Sequence, residues 1–339
     1  MVEIRKRTPE YGPQDRAGFE ALVARADVPF ILRGQCADWD MVRIATDRAD
    51  ETCHYLLHFA NQKPAQVWVG EPGSGGRFGY AQDFKGFNFE RQTASIAQLF
   101  ATLVQTTANL DIPPVYAGGV PIPENLPGLL PHIPMPLLDE GMERLTSLWI
   151  GNGSRTAAHW DLPRNLACVV AGRRRFVLFP PDQIANLYPG PIDLTLAGQP
   201  ISLVNFEAPD LDAHPRFATA LEHAQAAELG PGDTLYLPSL WWHRVETPEP
   251  FGAQVNFWWR DSLPHMVTPL FTLFHALLTI RDLPEGERAA WRSFFDYYVF
   301  GAGPDPAAHI PQAGRGVLGA MTPELAAQIR AFLGRSLGR

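Results

Sequence analysis

The fold is decided by the stretch LTSLWIGNGSRTAAHWDLPRNLACVVAGRRRFVLFPP at residues 145–181, which divides into short apolar runs separated by Gly, Pro and Asp. The same pattern of short apolar runs recurs in DTLYLP at 233–238, WWHRVET at 241–247 and AQVNFWW at 253–259. Short runs of β-branched and aromatic residues, with turn residues at intervals of roughly ten positions, are typical of antiparallel all-β folds. The sequence therefore predicts a jelly-roll barrel over residues 145–260.

Helical segments flank this predicted barrel. Residues 14–26 (QDRAGFEALVARA) and 93–105 (TASIAQLFATLVQ) carry apolar side chains at helical spacing, and a short extended run covers 29–32. Residues 185–228 are irregular, and we expect them to form a lid or loop between barrel strands. We therefore predict a mainly β fold with flanking helices, with the barrel in a domain at 1–262.

After residue 262 the chain takes on helical periodicity, and we predict a helical region at 263–339. Its first segment, MVTPLFTLFHALLTIRDL, carries a broad apolar stripe formed by Leu270, Leu273, Phe274, Leu277 and Leu278. A stripe of this width either packs against the barrel or pairs two chains. Both alternatives stay open, and pairing through this region would make the protein a homodimer.

Composition narrows the class of protein. The chain has 339 residues and a formal net charge of -8, which disfavours a general nucleic-acid binder because phosphate affinity depends on clustered cations. Nothing approaches roughly eighteen consecutive apolar residues, and the N-terminus lacks the apolar core of a secretory signal, so we expect neither a membrane span nor a signal peptide. The 3 cysteines are scattered and form no disulfide or zinc-finger pattern. We expect a cytoplasmic protein.

A His-x-Asp pattern lies in the segment TAAHWD. Residues two apart in a strand face the same side, so His159 and Asp161 present an imidazole and a carboxylate together. A third ligand is expected from a distant strand, where WWH ends at His243. Two histidines and one carboxylate cover one face of an octahedron and leave the other open, as in non-haem iron oxygenases. A His-x-Asp triplet alone is common by chance, and its surroundings are what favour a metal site.

Those surroundings contain several motifs in a fixed order. They are HWDLPRN (159–165), VAGRRRFVLFPPDQ (170–183), GPGDTLYLPSLWWHRVE (230–246) and VNFWW (255–259). Together they resemble the cupin-like jumonji-C superfamily, above all the branch that contains the asparaginyl hydroxylase acting on the hypoxia-inducible factor. The resemblance covers roughly residues 25–260 and implies a double-stranded β-helix (jelly-roll or cupin) barrel.

The resemblance also implies an activity. Such enzymes bind Fe(II) and the co-substrates 2-oxoglutarate and dioxygen. They hydroxylate or demethylate a protein side chain or a small molecule and release succinate and carbon dioxide. The iron ligands implied here are His159, Asp161 and His243. The residues implied around the co-substrate are Thr156, Tyr116, Asn165 and Asn256, of which the first two would hydrogen-bond its remote carboxylate.

One position departs from the family pattern. The family anchors the remote carboxylate with a lysine where this chain has Arg174, and no lysine follows Lys85. An arginine can grip a carboxylate through two parallel hydrogen bonds, but it is not interchangeable with lysine. We take Arg174 as the candidate anchor, against the alternatives of a solvated basic turn or a different co-substrate.

Other readings of the same residues stay open. A cupin that binds metal without oxygenase turnover, as a ligand sensor or interaction module, would explain the missing lysine, whereas a complete ligand set with an open face favours an oxygenase. The tryptophans near the motifs are candidates for cavity wall or core, namely Trp241, Trp242, Trp258 and Trp259. The remaining histidines, including His54 and His58, have no partner motif, and we expect structural or surface roles for them.

Overall fold

The computed structural model describes residues 4–44, 48–108 and 113–337, and the chain divides into two compact units. The first unit ends at Arg260 and contains the strands of the described ranges. The second begins at Asp261 and is helical. Within the described ranges, no helix is both long enough and apolar enough to cross a membrane.

The elements are as follows. The strands are β1 (Lys6–Arg7), β2 (Glu10–Tyr11), β3 (Phe30–Leu32), β4 (Pro64–Gly70), β5 (Arg77–Phe78), β6 (Phe89–Ser95), β7 (Val115–Pro121), β8 (Arg144–Gly151), β9 (Arg155–His159), β10 (Arg164–Ala171), β11 (Arg174–Phe179), β12 (Gln225–Leu229), β13 (Thr234–Leu237), β14 (Trp242–Glu246) and β15 (Gly252–Trp259). The α-helices are α1 (Arg16–Arg25), α2 (Asp40–Ile44), α3 (Ala49–Leu57), α4 (Ile96–Ala108), α5 (Ile122–Asn125), α6 (Phe217–His223), α7 (Pro269–Thr279), α8 (Glu285–Tyr298) and α9 (Pro323–Leu337).

The strands form two sheets. The smaller has the order β1-β12-β11-β14-β9-β5, and the larger has the order β2-β3-β13-β10-β15-β8-β7-β4-β6. From β8 to β15 the chain passes repeatedly from one sheet to the other, as in a jelly roll. The predicted fold class, a mainly β double-stranded β-helix with flanking helices, is therefore confirmed. The two sheets stay separate and do not close into one continuous barrel.

Both faces of the central strands are buried. The inner faces of the sheets meet through side chains such as Ala167 and Leu235 from the larger sheet and Phe176 and Leu178 from the smaller. Helices α1, α3 and α4 cover the outer face of the larger sheet. Strands buried on both sides need apolar residues at successive positions, which explains the unbroken apolar run LACVVA in β10.

Helix α4 begins later than the sequence predicts. The first three residues of the predicted helix at 93–105 belong to β6, and the helix starts at Ile96. The Ser95 hydroxyl accepts a hydrogen bond from the Gln98 backbone N–H (3.2 Å), and the Gln98 side chain accepts one from the Ser95 backbone N–H (3.0 Å). This reciprocal pair is a capping box, and it fixes the start of the helix.

The segment 185–228 is more ordered than predicted. It contains α6, and its last residues belong to β12, a strand of the smaller sheet. Residues 187–204 form a covering hairpin, in which the Gly190 N–H donates to the Ile201 carbonyl (2.9 Å). Its tip is held by Arg91 of β6, whose guanidinium donates to the Leu196 carbonyl (2.6 Å). Within this segment only the hairpin lines the cavity described below, and its role as a lid stays a prediction.

The second unit consists of α7, α8 and α9 with their connections. Helix α7 begins at Pro269, and the Thr268 hydroxyl accepts from the Leu270 N–H (3.4 Å). Large apolar side chains are exposed in this unit, including Phe271 (65%) and Leu278 (77%). The same unit contains an apolar groove of about 1300 Å³, which is lined by residues of all three helices.

Candidate metal centre

A β-bulge sets the direction of the side chains in β9. His159 pairs with His243 of β14 in the antiparallel register, but Val245 pairs with Thr156 instead of Ala157. The extra residue in β9 makes this a bulge, and it redirects the side chains on either side of it. Thr156 and His159, which are three residues apart, therefore both line the interior cavity described below.

Asp161 lies two residues beyond the end of β9 and not in an extended strand, as the sequence analysis assumed. Its carboxylate nevertheless reaches the histidines, because its Oδ2 lies 3.5 Å from Nε2 of His243. The ring centroids of His159 and His243 are 4.3 Å apart. One ligand atom from each of the three residues lies within 4.8 Å of the others, and no second group of this kind occurs among the described residues.

Main-chain carbonyls orient both imidazoles. Nδ1 of His159 lies 2.9 Å from the Ala157 carbonyl oxygen, and Nδ1 of His243 lies 3.0 Å from the Trp241 carbonyl oxygen. A carbonyl oxygen can only accept, so each Nδ1 carries the proton. With Nδ1 used in this way, Nε2 is the ring atom of each histidine that is available to a metal ion.

The electrostatics of His243 keep it in the form that binds a metal. Burial, assisted by the neighbouring His159, lowers the pKa of His243 to about 4 against the opposing effect of Asp161. The ring is therefore neutral at pH 7 and does not need to lose a proton before it binds a cation. A buried carboxylate beside two imidazoles is a donor set that fits a divalent transition-metal ion.

A narrow cavity of about 90 Å³ lies beside these ligands, between the two sheets. Its wall contains the three candidate ligands and four of the five residues that the resemblance implies around the co-substrate, namely Tyr116, Thr156, Asn165 and Asn256. The structure thus brings these seven side chains together around one small space. The fifth residue, Arg174, does not form part of the wall.

Arg174 nevertheless lies inside the fold. Arg174 shares a face of β11 with Phe176, and Phe176 lines the cavity. Because Arg174 is only 2% exposed, the alternative of a solvated basic turn is wrong. Its guanidinium donates to the Thr247 hydroxyl and to the Trp149 carbonyl (3.4 Å), while its Nε has no partner. No carboxylate of the described chain forms an ion pair with it. A buried cation without a carboxylate partner destabilises the fold, and an anionic ligand bound near Arg174 would remove part of this destabilisation.

The sequence analysis missed two glutamines of the cavity wall, Gln199 and Gln254. Gln199 comes from the covering hairpin, where no periodicity marks it. Gln254 had a signal, because it stands two residues before Asn256 in an otherwise apolar strand and therefore shares its face. Of the four tryptophans considered, only Trp258 lines the cavity, while the other three are buried in apolar clusters.

A double-stranded β-helix with two histidines and an aspartate at a cavity between its sheets is the architecture of cupin-type proteins. The chain belongs to the cupin-like domain family, whose model matches residues 16–265. Members of this jumonji-C-type family are often iron- and 2-oxoglutarate-dependent oxygenases.

Similar proteins have diverse names. Lysine-specific demethylase JMJ31 of Arabidopsis thaliana is 36% identical over 117 residues, which are 34% of this chain and 21% of that protein. HSPB1-associated protein 1 of Homo sapiens is 34% identical over 149 residues, 42% of this chain and 30% of that protein. tRNA wybutosine-synthesizing protein 5 of Mus musculus is 34% identical over 108 residues, which are 32% of this chain and 31% of that protein. The matched segments span less than a third of each of these relatives.

Proposed function

We propose that the protein is an Fe(II)- and 2-oxoglutarate-dependent oxygenase. The observation that carries this proposal is that one ligand atom from each of His159, Asp161 and His243 lies within 4.8 Å of the others at the wall of a narrow cavity. Three ligands on one face of an octahedral ion leave the other positions to small molecules. A 2-oxo acid that binds through two oxygens, together with dioxygen, would use those positions.

The iron, when bound, supplies the redox chemistry with dioxygen that no side chain can supply. The chain's own contribution is to hold the ion through Nε2 of His159, Nε2 of His243 and the Asp161 carboxylate. Aromatic side chains such as Trp68 and Phe78 make much of the cavity wall apolar and limit the entry of water.

The other end of the cavity suits the remote carboxylate of 2-oxoglutarate. Burial raises the pKa of Tyr116 to about 12, so its hydroxyl keeps its proton at neutral pH and can donate. The Thr156 hydroxyl makes a long hydrogen bond to the Val245 carbonyl (3.3 Å) and can rotate toward a stronger acceptor. The buried guanidinium of Arg174 would supply the positive charge. Asn165, whose Oδ1 is buried without a partner, and Asn256 would contact the ligands nearer the metal.

For the primary reaction we propose hydroxylation of a protein side chain or a small molecule. Support comes from the motifs that resemble the asparaginyl hydroxylase branch. Demethylation is the competing reaction, which the name of JMJ31 suggests. We also propose a cytoplasmic location, because Cys36, Cys53 and Cys168 are buried free thiols that fit a reducing compartment.

The experiment that tests this function uses the purified protein with Fe(II) and 2-oxoglutarate. Without oxygen, we expect a weak visible charge-transfer band, because a chelating 2-oxo acid on Fe(II) absorbs there. In air, we expect conversion of 2-oxoglutarate to succinate, slow without the primary substrate. The absence of both the band and succinate would rule out the oxygenase.

A metal-binding cupin without turnover is the second candidate. It is favoured by one observation, that Arg174 replaces the family's lysine and is not part of the cavity wall. Such a protein would bind Fe(II) through the same three ligands, but it would give no charge-transfer band with 2-oxoglutarate. The same titration therefore separates the two functions.

We further propose that residues 1–262 form the catalytic domain and that 263–339 form a dimerisation region. The exposed apolar side chains of α7 and the groove beside them would be covered by the same surface of a second copy, since a twofold axis makes one patch self-complementary.

Static light scattering of the parent protein should therefore give about twice the chain mass of 37.6 kDa at micromolar concentration. Leu278→Glu should shift the mass toward that of a monomer, because a charge would be buried at the interface. Val317→Glu, which changes an exposed apolar side chain outside α7 and outside the groove, serves as the control. A parent protein of monomeric mass would contradict the proposal.

A further inference from the structure

Strand β15 sends alternate residues into the interior. Gln254, Asn256 and Trp258 line the cavity, and Gly252 continues the same face. A side chain on Gly252 would begin 3.6 Å from Cζ of Arg174. The guanidinium of Arg174 therefore lies over Gly252, and the next inward position along the strand is Gln254.

The neighbouring strand β8 also connects Gln254 with Arg174, through Trp149. Gln254 pairs with Trp149 of β8 across the sheet. The Trp149 carbonyl is one of the two groups that accept a hydrogen bond from Arg174. Gln254 therefore belongs to the part of the cavity wall nearest Arg174, while Arg174 itself stands outside the wall.

The amide of Gln254 has an unmet hydrogen-bonding requirement. The side chain is 5% exposed, its Nε2 donates to Oδ1 of Asn256 (2.9 Å), and its Oε1 is buried without a partner. A buried acceptor without a donor is destabilising, and a carboxylate ligand has no hydrogen to offer it. If both amides turn over, Nδ2 of Asn256 donates to Oε1 of Gln254, and Nε2 of Gln254 faces the cavity as a donor.

We infer that Gln254 contacts the remote carboxylate of a dicarboxylic 2-oxo acid and that Arg174 supplies the charge from behind it. The inference rests on the proposed function and names a residue of the same site. In this arrangement the Gln254 amide is fully bonded, and the buried guanidinium gains a nearby anion. Binding would therefore select 2-oxo acids that end in a carboxylate.

The experiment measures binding and not turnover, with Mn(II) in place of iron and calorimetry as the readout. The variants are Gln254→Glu and Gln254→Met, and the ligands are 2-oxoglutarate and 2-oxopentanoate, which lacks the remote carboxylate. We expect Gln254→Glu to weaken 2-oxoglutarate binding by at least about 100-fold, because it places a like charge beside the ligand and pairs with Arg174. Gln254→Met should cost about 10-fold. Affinity for 2-oxopentanoate should change less than about twofold in both variants, since the lost contact is absent from that ligand.

Gln225→Glu is the matched control, because Gln225 is also buried with an unpaired Oε1 and lies outside the cavity wall. It should leave both affinities unchanged. Two results would overturn this inference alone, provided that the parent binds 2-oxoglutarate. In the first, Gln254→Glu binds 2-oxoglutarate as tightly as the parent. In the second, Gln254→Glu loses affinity for both 2-oxo acids by the same factor, and in either case Gln254 is not the contact. If the parent binds neither 2-oxo acid, the proposed function and the inference fail together.

Discussion

Alanine in place of His159 should leave a folded protein that no longer binds Fe(II) at micromolar concentration and forms no succinate. The imidazole supplies one of three ligands, and even groups that only orient a ligand are worth about 10- to 100-fold in metal affinity. Loss of the ligand itself should therefore cost at least roughly 100-fold. The measurement is Fe(II) binding under anaerobic conditions, followed by succinate formation in air.

His132→Ala provides the control, because His132 is an exposed histidine outside the metal group. It should keep the iron affinity and the turnover of the parent. Parallel thermal denaturation separates a lost ligand from a lost fold. An alanine variant of His159 with parental iron affinity would show that the ion binds elsewhere.

Methionine in place of Arg174 should weaken 2-oxoglutarate binding by at least about 100-fold, since the buried positive charge behind the remote carboxylate is lost. Iron affinity should stay within about twofold, because Arg174 touches none of the three ligands. The free energy of unfolding should stay level or rise by on the order of 1 kcal/mol, because a buried cation without an acid gives way to an apolar side chain. A substitution that stabilises the fold while it removes co-substrate binding is the signature of a residue kept for function.

Arg174→Lys is the matched variant, because it retains the charge on a shorter side chain that lacks the fork of donors. We expect it to recover part of the affinity. If the methionine variant binds 2-oxoglutarate as tightly as the parent, another group holds the remote carboxylate. If it unfolds instead, Arg174 supports the fold through Thr247 and the Trp149 carbonyl.

The sequence predicts the strands around the metal group well, because each is a short apolar run between turn residues. It could not predict the bulge in β9. Regular alternation would turn Thr156 away from His159, and only the register against β14 shows the extra residue. Asp161 was expected in the strand, yet it lies two residues beyond the end of β9. The resemblance named seven side chains that line one cavity, while the geometry that joins them comes from pairing between distant strands.

Three features were missed or left open by sequence reasoning. The strands β4 and β6 contain polar residues on exposed faces and β7 contains two adjacent glycines, so their periodicity is weak, and their pairing is visible only in the larger sheet. Gln254 was overlooked although it shares a face with Asn256, because the sequence does not show that this face of β15 lines a cavity. Arg174 had two possible facings, and burial in the folded chain decided between them.

The carbonyls that hold the two imidazoles have a consequence for how this centre tolerates substitution. They belong to the main chain, so a replacement at position 157 or 241 changes a side chain but leaves the oxygen that fixes the ring. The orientation of both imidazoles therefore does not depend on which side chains occupy these two positions. Substitutions at these two positions can therefore change the surroundings of the two rings without changing the orientation of the rings.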